Sequence, residues 1–176
     1  MNKLLDCIIN KNSSFIPIWF MRQAGRYLPE FREIRKENQN FIKLCLNPEL
    51  VKNITLQPIK RFGLDATIIF SDILMIPYAL GQDVKFTKGI GPILGNLESD
   101  KVIGNTPDNF IKKISPVYEG INKVKLITKG ESLIGFVGAP WTLLVYMLNK
   151  KSPKKNFKFN EINKDKNLIN KLLKKI

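Results

Sequence analysis

Three short apolar runs, each followed by a segment with helical features, constrain the fold more than any other feature of this chain. They are Ile16–Met21, Asp65–Ser71 and Ser132–Gly138. The second run is rich in β-branched residues and does not alternate, which predicts a strand buried on both faces, as in a parallel sheet. The repeated order of strand and helix therefore predicts an α/β fold with parallel strands.

Local signals predict the helices between these runs. Asn47 is an expected N-cap, Pro48 suits the first helical position, and Gly63 can end the same helix. The other predicted helices are Asp6–Ile9, Leu28–Arg35, a helix from Thr106 to about Thr128 with breaks at Pro116 and Gly120, Ala139–Leu148, and an apolar stripe over Leu168–Ile176. The alternating Val84–Thr87 run, followed by Gly89–Pro92, predicts a hairpin or an irregular loop.

The length of 176 residues allows one domain with a real core. A (β/α)8 barrel needs about 200 residues or more, so the chain can hold roughly three β/α units of a barrel, or a small open sheet. No apolar run reaches the roughly 18 residues of a membrane span. The first ten residues lack a secretory signal, which predicts a cytosolic protein. Cys7 and Cys45 are far apart, and we expect free thiols.

Charge is concentrated near the end of the sequence. The net charge is +14, and ten of the 29 basic residues lie within 150–176, against two acids. A basic segment of this kind is typical of nucleic-acid binding or of a solvated surface. All ten are lysines, whereas arginine is the better bidentate phosphate ligand, so we favour the solvated surface. Residues 149–160 form an expected Lys/Asn-rich loop, and the absence of histidine excludes histidine catalysis and histidine metal sites.

Polar residues follow each predicted strand. Arg22 and Arg26 follow the first, Asp72 follows the second, and Tyr146 lies in the helix after the third. Parallel α/β sheets bind ligands at the carboxyl ends of their strands, so we expect these side chains to share one edge.

Each of these residues has two interpretations on the pattern alone. Arg22 and Arg26, with Gly25 between them, suit a ligand that carries carboxylates or phosphates, or they are surface arginines paired with nearby glutamates. Asp72 is either an N-cap or a carboxylate held at the rim of the sheet. Tyr146 is either a core residue or a hydroxyl in a polar pocket.

Longer motifs favour the functional interpretations. The run Met21–Glu30 closely resembles the N-terminal signature of the uroporphyrinogen decarboxylase family. Ile68–Leu74 and Leu133–Leu143 resemble two further blocks of that family, and the likeness extends over about residues 4–148 in the same order.

The resemblance implies a fold and an activity. Residues 1–176 would form the N-terminal part, about three β/α units, of a (β/α)8 TIM-type barrel that acts as a cytoplasmic homodimer. The family removes CO2 from the four acetate side chains of uroporphyrinogen III, giving coproporphyrinogen III in haem biosynthesis. It uses no metal and no organic cofactor, and the resemblance implies neither a nucleic-acid partner nor a membrane.

The resemblance also implies roles for single residues. Asp72 would gather the pyrrole N–H groups and stabilise the cationic transition state, and Arg22 would bind substrate and assist proton delivery. Tyr146 would contact the substrate or Asp72 through its hydroxyl. The other implied substrate-binding residues are Gln23, Ala24, Gly25, Arg26, Phe31, Arg35 and Ile68.

The chain departs from the family pattern in two ways. Family chains are about twice as long, and their later half supplies a serine and a histidine that have no counterpart here. Asn149–Pro153 stands where the family has a glycine-rich stretch. We therefore expect the chain alone to lack decarboxylase activity and to leave apolar faces exposed, including Leu168, Leu172 and Ile176.

Two other functions remain as alternatives. A corrinoid-linked methyltransferase would have the same barrel, but such sites rely on zinc ligands, whereas Arg22, Arg26 and Asp72 suit the decarboxylase. A non-catalytic fragment that binds RNA through residues 150–176 would show steep salt dependence of that binding.

Overall fold

The computed structural model describes residues 2–11, 14–21, 24–153 and 165–176. The helices are α1 (Lys3–Asn10), α2 (Pro29–Glu37), α3 (Phe41–Cys45), α4 (Pro48–Phe62), α5 (Met75–Leu80), α6 (Ser99–Gly104), α7 (Pro107–Ile127), α8 (Pro140–Asn149) and α9 (Lys166–Lys175). The strands are β1 (Ala66–Ile68), β2 (Val84–Thr87), β3 (Gly91–Leu94) and β4 (Ser132–Ile134). The chain divides into two compact units, the first Met1–Ser71 with Pro116–Phe136, the second Asp72–Ser115 with Val137–Ile176.

A parallel pair of strands forms the sheet of the first unit. β1 and β4 pair in register, with Ala66 opposite Ser132 and Ile68 opposite Ile134. The ladder continues past β1, because the Ile69 N–H donates to the Ile134 carbonyl over 3.0 Å. Two of the three predicted strands are thus confirmed as parallel neighbours, each only three residues long.

The first apolar run forms no strand, contrary to the sequence-based prediction. Residues 14–21 carry neither helix nor strand, and the side chains of Ile16 and Met21 are 88% and 74% exposed. Two hydrogen bonds between Ile18 and Asp65 fix the segment to the residue before β1. Apolar composition alone predicts burial only where a neighbouring element covers the run, and in the described part of this unit only Pro17 and Trp19 of the run are half-buried.

Helix α4 begins and ends where the sequence predicts. The Asn47 side chain accepts hydrogen bonds from the Glu49 and Leu50 N–H groups, both over 3.1 Å. Gly63 ends the helix with φ of 63°, a conformation that costs glycine little. Because α4 packs against α2, α3 and β1, its capped ends fix the helix on which the core of this unit is built.

Two groups of apolar side chains form the core of the first unit. One consists of Leu28, Phe31, Leu44 and Ile54; the other consists of Val51, Leu56, Ile69 and Val124. Phe70 packs against both groups. Burying each of these large side chains contributes about 1.5–3 kcal/mol, so α2, α3 and α4 are held to β1 mainly by apolar packing.

Helix α7 runs without interruption through Pro116 and Gly120, so the predicted breaks are wrong. A Cβ atom at Gly120 would lie 2.9 Å from Cγ1 of Val51, on α4. The glycine is therefore explained by the close approach of two helices and not by a turn. This approach lets Val124, one turn further along α7, reach the core.

An antiparallel hairpin and a buried amide organise the second unit. β2 pairs with β3, which confirms the predicted hairpin, and Gly89 and Gly91 in its turn have positive φ angles. The buried Gln82 side chain donates to the Gly95 carbonyl over 2.9 Å and to the Met147 carbonyl over 3.0 Å. These two bonds fasten the end of the hairpin to α8.

The last helix is better buried than its sequence predicts. Asp165 caps α9 by accepting from the Asn167 and Leu168 N–H groups. Leu172 is fully buried and Leu168 and Ile176 are partly covered, so the expected exposure of this stripe is wrong for Leu172. The helix packs against α6 and α8, which explains the burial.

The structure also bears on the cysteines, on membrane-spanning helices and on the expected loop at 149–160. Neither Cys45, which is buried, nor Cys7, which is half-buried, forms a disulfide bond. In the part of the chain that the structure describes, every helix is too short or too polar to cross a membrane. Of the expected loop at 149–160, residues 154–160 lie outside the described residues, and Lys151 pairs with Ile93 beside β3.

Candidate active site

The residues expected to form the site are distributed over both compact units. Asp72 and Tyr146 belong to the second unit. Those of the first unit are Ala24, Gly25, Arg26, Phe31, Arg35 and Ile68. Arg22 and Gln23 lie outside the described residues.

Asp72 forms the turn that leads into α5. Its Oδ1 accepts a 2.8 Å hydrogen bond from the Leu74 N–H, and its carbonyl accepts a 3.1 Å bond from the Met75 N–H. Leu74 is the N-cap of α5 and its side chain makes no cap bond, whereas the Asp72 side chain caps the turn that precedes the helix, as the simpler interpretation predicts. This side-chain contact is an Asx turn, which begins two residues before Leu74.

The environment of Asp72 is unfavourable for its negative charge. Burial raises the pKa of the Asp72 carboxyl, and the hydrogen bond from the Leu74 N–H only partly opposes that rise. A partly dehydrated carboxylate attracts a nearby cation more strongly than one in water does. Asp72 is thus suited to stabilise positive charge on a bound molecule.

Backbone contacts fix the turn that carries Arg26. The Leu28 N–H donates to the Gly25 carbonyl over 3.0 Å, and Leu28 itself is buried. Arg32 donates from its guanidinium to the carbonyls of Arg26 and Tyr27, over 3.0 and 3.2 Å. Arg32 therefore stabilises the backbone of the turn, whereas the Arg26 side chain is exposed.

Arg35 also makes contacts within the protein. Its guanidinium donates to the Asn38 carbonyl over 2.6 Å and lies 5.3 Å from the centre of the Phe41 ring. Burial lowers the pKa of Arg35 from its usual value. The guanidinium stays charged, because the usual pKa of arginine is far above neutrality. These contacts stabilise the end of α2, and a substrate-binding role for Arg35 stays a prediction.

The two apolar candidates differ in exposure. The Phe31 ring is only 6% exposed and packs edge-on against Phe70, with ring centres 5.8 Å apart. Ile68 is the last residue of β1 and is half-buried. Ala24, also half-buried, packs against the core group that contains Phe31. The expected contacts of Phe31 and Ile68 with a substrate stay predictions.

Tyr146 lies on α8, whose entry is fixed by close packing. The helix begins at Pro140, and Leu143, Leu144 and Met147 bury one of its faces. A Cβ atom at Gly138 would lie 2.7 Å from Cδ2 of Leu143, so the loop before α8 approaches the helix as closely as only glycine allows. Tyr146 is half-buried.

Sequence reasoning missed Asp65, which contacts three segments of the first unit. Its carboxylate accepts from the Ile18 N–H over 2.9 Å and lies 3.0 Å from Nζ of Lys3. The only signal in the sequence is an acid directly before an apolar strand, which is also typical of an ordinary strand boundary. The pairing with Ile18 could not be predicted, because 47 residues separate the two.

Comparison with known proteins gives a consistent result. The family model described as uroporphyrinogen decarboxylase matches residues 1–176. A uroporphyrinogen decarboxylase of Rickettsia felis is 50% identical over 151 residues, which cover 85% of this chain and 43% of the relative. One from a Chelativorans species is 48% identical over 147 residues, covering 83% and 43%. The chain therefore spans less than half the length of the curated relatives it matches.

A solved structure supports the fold. A methyltransferase from Methanosarcina mazei superposes with a TM-score of 0.61 at 17% identity, covering 82% of this chain and 44% of that chain. Identity this low shows a shared fold only. Together with the parallel β1–β4 pair, the comparison shows that the chain forms part of a (β/α)8 barrel.

Proposed function

Because the chain belongs to the uroporphyrinogen decarboxylase family, we propose that it supplies one part of a site that converts uroporphyrinogen III to coproporphyrinogen III. The observation that carries this proposal is Asp72, a carboxylate kept at the start of the second unit although burial raises its pKa. A turn needs no charge at this position, since asparagine forms the same Asx turn. A cationic reaction does need that charge.

The reaction requires an electron sink for each departing CO2. Protonation of a pyrrole carbon makes the ring cationic, and the electron pair of the broken C–C bond then flows into that ring. A second proton, placed on the former acetate carbon, completes a methyl group, and loss of the proton first added to the ring carbon restores the neutral pyrrole. One proton is therefore consumed for each CO2 released. The Asp72 carboxylate would accept hydrogen bonds from the pyrrole N–H groups and would stabilise the ring cation, so its effect is largest in the transition state.

The substrate carries eight carboxylates, and arginine binds such groups with two parallel hydrogen bonds. Arg26 is exposed on a turn whose backbone is fixed by Arg32 and Leu28. Arg22 lies four residues earlier, on the other side of Gly25. In this proposal both arginines bind acetate or propionate groups, and Tyr146 contacts the substrate or Asp72.

The proposal includes the wider setting of the reaction. We expect a homodimer in the cytoplasm that needs neither metal nor organic cofactor, because the substrate ring itself accepts the electrons. The methyltransferase alternative is not favoured, because the curated relatives at 46–50% identity are named as decarboxylases. Binding of RNA by the lysine-rich end stays an untested alternative.

A chimera provides the sharpest test. The part of this chain that matches, 151 aligned residues, replaces its counterpart in the Rickettsia felis relative, whose remaining sequence completes the protein. We expect the chimera to release CO2 from uroporphyrinogen III, and the 176-residue chain alone to release none. A folded chimera without activity would contradict the proposal.

Variants of the chimera separate the proposed roles. Asp72→Asn should lower kcat by about 10²–10³ with little change in KM, because the charge acts in the transition state. Arg26→Lys should raise KM about tenfold, since the bidentate contact is lost. Asp100→Asn, an exposed acid in the first turn of α6, is the matched control and should change neither constant. Equal kcat for Asp72→Asn and the parent would remove Asp72 from the mechanism.

A further inference from the structure

Asp65 contacts three separate segments of the first unit through its side chain and its backbone. Its Oδ2 accepts from the Ile18 N–H over 2.9 Å, and its Oδ1 lies 3.0 Å from Nζ of Lys3 on α1. Its own N–H donates to the Ile18 carbonyl, and its carbonyl accepts from the Ser132 N–H, each over 3.0 Å. Asp65 thus holds α1, the 14–21 segment and β4 at the start of β1.

The contact with Ile18 is reciprocal. Asp65 bonds both polar backbone atoms of Ile18, one through its carboxylate and the other through its own N–H. The segment around Ile18 has neither helix nor strand, and several of its apolar side chains are exposed. Phe15, Pro17 and Trp19 are half-buried, so apolar contacts hold one side of the segment, and the hydrogen bonds from Asp65 fix its backbone at Ile18.

The segment held in this way leads directly into the arginines. Ile18 precedes Arg22 by four residues and Arg26 by eight. After Arg26 the chain is anchored again, because Leu28 is buried and its N–H donates to the Gly25 carbonyl. Arg26 thus lies between two anchored positions in the sequence, Ile18, which Asp65 holds, and Leu28, which the core holds.

The charge of Asp65 strengthens this contact. The Ile18 N–H, and after it the Lys3 ammonium, lower the pKa of the Asp65 carboxyl, so the group is ionised at neutral pH. A hydrogen bond from an N–H to a carboxylate is about twice as strong as one between neutral groups. The Asp65 side chain is 17% exposed, whereas that of Lys3 is 54% exposed, so the Ile18 bond is the better protected of the two.

We propose that Asp65 is a positioning residue for substrate binding, which acts by clamping Ile18 and so anchoring the chain that leads to Arg26. The proposal rests on the proposed function, in which Arg26 binds a substrate carboxylate. Asp65 does not touch substrate in this role. It restricts Arg26 before binding, so that less ordering is needed when the ligand arrives.

Two substitutions at Asp65 separate the clamp from the charge. Asp65→Ala removes the acceptor for the Ile18 N–H. Asp65→Asn keeps an oxygen acceptor at the same place but loses the charge, so it is the conservative rescue. Lys3→Met removes the ion pair and leaves the clamp intact. Asp100→Ala removes an exposed acid and is the control for net charge.

The first measurement is the affinity of the 176-residue chain for uroporphyrin, an octacarboxylate, determined by fluorescence titration. The titration is done at a temperature at which near-UV circular dichroism shows that each variant is folded. We expect Asp65→Ala to weaken binding about tenfold, and Asp65→Asn and Lys3→Met to stay within about twofold of the parent. Removing an acid from a chain of net charge +14 favours an anionic ligand, so Asp100→Ala should bind equally well or better. If Asp65 acted only through its charge, Asp65→Ala would likewise bind uroporphyrin as well as the parent or better.

The outcomes distinguish this proposal from the proposed function. If Arg26→Lys weakens binding but Asp65→Ala does not, the positioning role is overturned and carboxylate binding stands. If the chimera does not bind uroporphyrin, or Arg26→Lys binds as the parent does, the proposed function of the arginines fails.

Hydrogen exchange tests the clamp independently of any ligand. Asp65→Ala should accelerate exchange of the Ile18 amide by tenfold or more, whereas Asp65→Asn and Lys3→Met should leave it near the parent rate. The Leu50 amide, which bonds to the Asn47 cap in α4, serves as the internal control. Unchanged exchange at Ile18 in Asp65→Ala would overturn the clamp.

Discussion

The hydroxyl of Thr67 in β1 donates a 2.6 Å hydrogen bond to the carbonyl of Thr55 in α4, and both residues are completely buried. Thr55 in turn accepts from the Phe70 N–H through its own hydroxyl, over 3.0 Å. Two polar side chains inside an apolar core thus fasten the strand to the helix. They also fix the chain as it leaves β1 towards Asp72.

We expect Thr67→Val to lower the free energy of unfolding by about 1–2 kcal/mol, although valine has nearly the same shape. The substitution removes one buried hydrogen bond and leaves the second lone pair of the Thr55 carbonyl without its donor. Urea denaturation followed by circular dichroism measures the change. Thr87→Val, on an exposed position of β2, is the matched control and should change stability by less than about 0.5 kcal/mol. Equal midpoints for the two variants would contradict the prediction.

Asp72→Asn should make the 176-residue chain more stable at pH 7. Burial raises the pKa of the Asp72 carboxyl, so folding holds the ionised group in an unfavourable place, whereas asparagine carries no charge and can still accept from the Leu74 N–H. Thermal unfolding at several pH values measures the difference.

The raised pKa of Asp72 determines the direction in which the stability of the folded state changes with pH. A carboxyl with a raised folded pKa favours the folded state below its ordinary pKa of 3.8, and this contribution is lost as the pH rises through the folded value. The advantage of Asp72→Asn should therefore disappear at acid pH and be complete at neutral pH. A variant that is less stable at pH 7 would show that the charge supports the fold.

Glu49→Gln should make the free energy of unfolding depend less on pH in the acid range. Two lysines, Lys123 on α7 and Lys52 on α4, lower the pKa of Glu49 to about 2. The ion pairs therefore contribute to stability above the ordinary pKa of 4.5, and this contribution is lost as the pH falls towards 2. The control is Glu33→Gln, which removes an exposed acid on α2. Parallel profiles for the Glu49 variant and the parent between pH 5 and about 2 would contradict the assignment.

Gly138→Ala should destabilise the second unit by about 1–3 kcal/mol, because the added Cβ would overlap two residues. It would lie 2.7 Å from Cδ2 of Leu143 and 3.0 Å from Cβ of Ile73. Gly104→Ala, at a site with no atom within 4 Å of the new Cβ, is the control and should leave stability almost unchanged. Calorimetry of the two variants decides the point, and similar midpoints would show that the loop before α8 can adjust.

Local signals explain which elements the sequence predicts well. The helix from Pro48 to Phe62 is marked by Asn47 and by Gly63, and both act within a few residues of themselves. The strand at Ile16–Met21 was wrong because its burial depends on other elements. Gly120 was mistaken for a break because the sequence does not show that Val51 lies against it.

The residues of the candidate site also divide into those with a local sequence signal and those whose contacts depend on distant segments. Asp72 and Arg26 could be singled out because each follows an apolar run, and their roles came from the resemblance. Asp65 could not be singled out, since its contact with Ile18 depends on two segments that are distant in sequence. The burial of Leu172 by α6 and α8 was missed for the same reason.

Lys150 adopts a left-handed conformation, with φ of 60°, directly after α8, where helices favour glycine and where the family resemblance also leads us to expect glycine. Three hydrogen bonds offset the strain, to the Tyr146 carbonyl, from the Leu94 N–H and to the Asn96 side chain. Two of these bonds come from the backbone and would form with any residue except proline at this position, so only the bond to Asn96 depends on the lysine side chain. The turn after α8 therefore does not require glycine.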